Sequence, residues 1–125
     1  MEPKKLELNN KSTSEFAVSR FFEGWKNRDF KEVNKYIQKT WLTNSQKDEF
    51  EKGLGHLELK DYHIYDKEVI TDCREEIDFR ADILFKGKIK NMYGKVNVIC
   101  ENAPYQPNPK GEWGINPISL LRWRT

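Results

Sequence analysis

Two hydrophobic periods divide the chain. From Phe16 to Leu42 apolar residues return every three or four positions, as the buried stripe of a helix does. From Leu57 onward they alternate with polar ones, the period of a strand with one buried face. Within the first region, Ser12 and Glu15 have capping-box spacing, and Phe16, Ala17, Val18, Phe21, Phe22 and Trp25 follow as a wide stripe. Asn27 to Asp29 breaks the pattern. Asp29 is placed to cap a second helix with Glu32 at its third position and Phe30, Val33, Tyr36 and Ile37 as its stripe. Trp41 and Leu42 anchor the chain, and a third short helix is expected over Ser45 to Lys52, closed at Gly53 by a left-handed cap.

In the second region, Phe85-Lys86-Gly87-Lys88 reads as a two-residue hairpin turn, which fixes every downstream pairing. Ile77 then opposes Val96, Phe79 opposes Gly94, Ala81 opposes Met92 and Glu75 opposes Val98 on an apolar face. Asp78 with Lys95, Glu76 with Asn97, Asp82 with Asn91 and Arg80 with Tyr93 form the polar face. The same register sets Cys73 opposite Cys100, which leaves two readings open: a cross-strand disulfide, or two reduced cysteines acting as small buried hydrophobes. A second tight turn at Thr71-Asp72 brings Ile64 to Phe79, Tyr62 to Ala81 and Glu68 to Glu75, with His63 outward beside Arg80. Ala103 to Gly111, with Pro104, Pro107 and Pro109, reads as a long stiff loop without regular ladder bonds. Trp113, Ile115, Ile118 and Leu120 make a last strand in which Pro117 implies a bulge or an edge.

Helices first and strands afterwards predict one α+β domain over residues 12–125 behind a flexible lead over 1–11, with N-terminal helices packed on the concave face of a curved antiparallel sheet. The 125 residues, 37% hydrophobic and 13% aromatic, suffice for a single core. The 22 basic and 20 acidic residues alternate in small groups, so the net charge of +2 marks a solvated surface and no nucleic-acid footprint. The densest basic group, Arg122-Trp123-Arg124, reads as a solvated tail. No stretch reaches the ~18 to 20 apolar residues of a membrane span. Met1 to Asn10 lacks the apolar core of a signal peptide, so the chain as written reads as cytoplasmic. The polar lead Lys4 to Lys11 equally suits the tether of an exported domain whose signal has been removed.

Phe21 to Trp25 in a first helix, the run Leu59 to Ile64, two long strands around Phe85 to Lys88, and a closing Trp113 to Leu120 together resemble the nuclear transport factor 2-like superfamily, the cystatin-like α+β cone. The resemblance spans nearly all of residues 12–122 and implies fold more than function. It implies either an isomerase, dehydratase or hydrolase using the cone as a pocket, or a non-catalytic accessory domain such as those of bacteria and mobile elements. Members of that superfamily commonly dimerise through the outer sheet face. Enzymes of the isomerase type keep an acid, a tyrosine and often an aspartate inside the cone, whereas the inner row expected here is Ile77, Phe79, Ala81, Ile83, Met92 and Val96.

The chemistry-bearing candidates are few. Glu75 and Glu68, if adjacent on a half-buried face, would raise one another's pKa and act as an acid–base pair, with Tyr62 as a further proton-transfer group. Both carboxylates fall near the hairpin end, where strands run into water. Phe22, Trp25, Tyr36, Trp41, Tyr62, Phe79, Met92 and Trp113 either line a small pocket at the cone mouth or are simply core. His56 and His63 lack a converging partner, so neither a metal nor a cofactor is expected. No nucleophile elbow or phosphate-binding glycine loop occurs; Gly53-Leu54-Gly55 lacks the strand before and helix after that such a loop needs. The expectation is a non-enzymatic interaction module, a monomer or weak dimer. It would bind a protein partner through its sheet surface or through the Pro-rich loop bearing Tyr105, Gln106, Asn108 and Lys110. The rival is a small-molecule-binding or isomerase-like enzyme using the cone.

Overall fold

Capping decides where the first helix starts. In the computed structural model, which describes residues 13–43, 45 and 47–120, Thr13 is extended and its hydroxyl accepts from the Phe16 N–H at 3.2 Å. Thr13 therefore takes the place expected of Ser12, which lies outside the described residues, as do the lead over 1–11 and the Arg122-Trp123-Arg124 tail. Helix α1, Ser14–Lys26, buries Ala17, Val18, Phe21, Phe22 and Trp25. After the break, Asp29 caps α2, Phe30–Lys35, by accepting from Glu32 N at 3.3 Å. A single 3₁₀ turn over Trp41–Thr43 leads to α3, Lys47–Gly55. Here the sequence expectation is corrected, because α3 starts at Lys47 and passes straight through Gly53. The one glycine of positive φ among the described residues is Gly87. The buried Trp25 indole fixes this end instead, donating to Leu54 O at 3.1 Å and Leu57 O at 2.9 Å.

The strands are β1, Glu58–Thr71; β2, Arg74–Phe85; β3, Lys88–Ala103; β4, Gln106–Pro107; and β5, Glu112–Ile115. They form a curved antiparallel sheet in the order β1-β2-β3-β4, with β5 also on β3, and α1 to α3 precede it in the chain. Lys86 (φ 52°) and Gly87 (φ 79°) make the mirror-image turn whose twist suits a hairpin, and the β2–β3 register follows from Phe85 opposite Lys88 without a slip to Arg74 opposite Ile99. The β1–β2 register is partly corrected. Tyr62 meets Ala81, His63 meets Arg80 and Ile64 meets Phe79, but the turn is Asp72-Cys73, and register shifts after Leu59, Ile64 and Val69 absorb the difference.

Burial follows the alternation. Ile77, Phe79, Ala81, Ile83, Val96 and Val98 are 0–2% exposed and face the stripe of α1, with the Phe22 and Phe79 ring centroids 5.2 Å apart. Each of these side chains larger than Ala81 contributes roughly 1.5–3 kcal/mol by leaving water. The helical layer is also stitched to the sheet by backbone: Ile115 N donates to Tyr36 O at 2.8 Å and Gln38 N to Ile115 O at 2.9 Å, a parallel bridge of Ile37 with Ile115. Gly114 permits that approach, since a Cβ there would stand 2.6 Å from Gln38 N. Pro117 marks neither a bulge nor an edge. It opens the short helix α4, Pro117–Leu120, in the first helical position where a missing N–H costs nothing, behind Asn116, whose side chain accepts from Ile118 N at 2.9 Å.

Candidate functional site

The first expected site falls on the inner face near the start of α1. The Glu75 carboxylate accepts from the Ser14 hydroxyl in the first turn of α1, with Lys67 Nζ at 3.8 Å; Lys67 also reaches Glu15 at 3.1 Å. An anion at a helix N-terminus is held by the unpaired N–H groups and the helix dipole, so this cluster fastens α1 to the sheet. The expected pairing of Glu68 with Glu75 does not form: Val69 opposes Glu75, and Glu68 is exposed opposite Glu76. The cause is the register shift after Ile64, which puts an extra residue into β1 and turns Glu68 to the other face.

Tyr62, on β1, packs further along α1. Its hydroxyl donates to Glu23 Oε2 at 2.7 Å, and its ring stacks on Phe22 at 5.2 Å between centroids. Burial above all pushes its pKa up to about 12; the contact with the Ser19 hydroxyl works against the rise and the hydrogen bond to Glu23 adds to it. A phenol so far from neutrality holds its proton at physiological pH and is poorly matched to general acid–base work. Glu23 was not singled out from the sequence, where it sits among polar helix positions with no signal of its partner.

The aromatic set packs against the hydrophobic core. Phe22, Trp25 and Phe79 are 0–1% exposed and Trp41 is buried against Phe50, while Tyr36, Tyr62, Met92 and Trp113 are half-buried against the same core. A cavity lies on the opposite face of the sheet, lined by Glu76, Asp78 and Lys95 among others. His56 and His63 are exposed, and His63 lies 3.7 Å from Asp61; no group of three metal-ligating side chains occurs among the described residues. Cys73 and Cys100 do face one another, with Cys100 N donating to Cys73 O at 2.8 Å, and both are free thiols. The buried Cys100 thiol donates to Gly111 O at 3.0 Å, and burial pushes its pKa up to about 11.

The Pro-rich segment is more ordered than a loop reading suggests. Its first part is a tight hairpin in which Ala103 pairs with Gln106, so Pro104 and Tyr105 are the turn residues. Proline presets the first turn position, and Tyr105 occupies the second with φ 63°, a conformation that favours glycine or asparagine. Tyr105 is nonetheless 74% exposed. Its N–H donates to Thr40 Oγ1 at 2.7 Å, and its hydroxyl is 3.4 Å from that of Thr43. Thr40 is itself held by Glu101, a carboxylate 2% exposed that accepts from Thr40 N at 3.0 Å, from Thr40 Oγ1 and from Gln38 Nε2 at 3.1 Å. Gln38 is oriented by Asn116 Nδ2, which donates to Gln38 Oε1 at 3.1 Å. Further along, Asn108 folds the segment onto itself by accepting from Lys110 N at 2.8 Å and donating its N–H to Cys100 O at 2.9 Å. Tyr105, Gln106 and Lys110 are thus displayed, while Asn108 is structural.

No helix among the described residues is long and apolar enough to cross a membrane. Compared with protein-family models, with curated proteins and with solved structures, the chain matches none.

Proposed function

We propose that this chain is a non-enzymatic interaction module of the nuclear transport factor 2-like kind, which captures a protein partner through the turn at Pro104-Tyr105. One observation carries the reading: an exposed aromatic is held at a left-handed φ by a buried polar support. A non-glycine residue in that conformation costs on the order of 1 kcal/mol or more, and such strain tends to persist at binding and catalytic positions. Tyrosine is also a residue type that anchors interfaces, because it covers a large amphipathic area with little conformational freedom to lose. The support from Glu101 through Thr40 holds the turn in place before binding, which lowers the ordering cost of association. The packing of Phe22, Trp25 and Phe79 and the Ser14–Glu75 fastening argue in the same direction, since they assign those side chains to stability.

The test is a pair of measurements on Tyr105→Asn. Asparagine tolerates the left-handed region, so the variant should gain about 0.5–1 kcal/mol in urea unfolding. The same variant should lose the partner that the unaltered protein retains in affinity capture, whereas Asp48→Asn, at an exposed position of α3, should keep it. Equal recovery of that partner by Tyr105→Asn would end the reading.

A further inference from the structure

The face of the sheet turned away from α1 carries a cavity of about 500 Å³, within the size range of ligand sites. It crosses three strands. Tyr65 on β1 and Tyr93 on β3 stand to either side, 52% and 44% exposed, with Glu76 and Asp78 of the intervening β2 between them; Lys95, Asn97 and Ser119 complete its polar lining. The charged lining is thus two carboxylates against one ammonium. Each carboxylate has an intramolecular cation nearby, Lys95 at 3.4 Å from Asp78 and Arg74 at 3.6 Å from Glu76. Those cations are well exposed, 61% and 44% at the side chain, and pairs of that kind hold by only about 0–1 kcal/mol, so an incoming cation can displace them. Beside Ser119, Ile118 projects from α4 with 47% of its surface exposed.

Two tyrosine faces around a pair of carboxylates attract a cation through both ring quadrupole and charge. A planar guanidinium satisfies both better than an ammonium, since it stacks on rings and bonds carboxylates in a fork. The exposed Ile118 at the α4 end offers an apolar contact to whatever flanks the cation. We propose that this groove holds an arginine side chain presented by an extended segment of a partner polypeptide, its guanidinium between Tyr65 and Tyr93 and against Glu76 and Asp78, with an apolar neighbour on Ile118. The site shares no residue with the Tyr105 turn and does not rest on it.

The probe is a labelled heptapeptide carrying two arginines flanked by isoleucines, titrated by fluorescence anisotropy against the full chain, with a citrulline counterpart that keeps shape and removes charge. The arginine peptide should bind at least about tenfold more tightly than the citrulline peptide, a difference of 1.4 kcal/mol. Glu76→Gln with Asp78→Asn should cost a similar factor and Tyr93→Ala about threefold, while the Tyr105→Asn affinity stays unchanged. Thermal melts of these surface variants check that they fold. Equal affinity for the two peptides, or for the Glu76/Asp78 variant and the unaltered protein, overturns the proposal. So does equally tight binding of free arginine, which gives the groove to a small cation. Sedimentation in which the Glu76/Asp78 substitutions change self-association and leave peptide affinity alone gives it to a second copy, and overturns the proposal as well.

Discussion

Glu101 is a buried carboxylate with three donors on it, although period-two counting places it on the outward row with Asn97 and Lys95. It is buried because residues 38–40 and Gly111 cover that end of the sheet, and covering segments leave no mark on a strand's own alternation. Its two oxygens meet only donors. Glu101→Gln therefore turns one N–H₂ toward a donor, and a loss of about 2–3 kcal/mol is expected in urea unfolding, larger than for most surface acids. Tyr62 gives a second test. Its pKa of about 12 in the folded protein lies above the ~10 of an unfolded tyrosine, so its contribution is whole below pH 10 and is lost as pH rises toward 12. Discounted for partial exposure, the loss should be on the order of 1–2 kcal/mol, and Tyr62→Phe should flatten that part of the stability curve. An equally steep decline in Tyr62→Phe would assign the loss to another group.

At the scale of elements, what was legible depended on how far a single local signal reaches. Phe85-Lys86-Gly87-Lys88 sets a turn with a defined twist, and twelve residue pairs of β2 with β3 follow from it because no bulge intervenes. The β1–β2 hairpin reads correctly in its middle and wrongly at its tip. A turn displaced by one residue moves the pairing by two, and the one-residue shifts after Val69 and after Ile64 together restore it, so Tyr62 is placed well while Glu68, between the two, lands on the wrong face. Pro117 is compatible with both an edge strand and a first helical turn, and the choice is made by Asn116 capping Ile118, a contact that spacing alone does not announce. The Pro-rich segment reveals an exposed aromatic from its composition, but not the φ of Tyr105, which depends on Thr40 across the molecule.

For the whole molecule, the decisive feature is that early and late parts of the chain are joined by backbone. Tyr36 and Gln38 pair with Ile115, Glu101 holds residues 38–40, and Ser14 bonds Glu75, so neither the helices nor the sheet can leave without breaking the other's polar contacts. Unfolding in urea should accordingly be a single transition, with tryptophan fluorescence and far-ultraviolet circular dichroism giving the same midpoint. Separate midpoints would show that the two layers melt independently. The same closure is missing at the other edge of the sheet, where no described strand pairs beyond the fourteen residues of β1. A long bare strand is a template for polymerisation, yet this one is broken by three register shifts and carries Lys60, Asp61, Asp66, Lys67 and Glu68 along its length. The irregularities that turn Glu68 outward thus act as gatekeepers, opposing the edge-to-edge pairing of a second copy on β1.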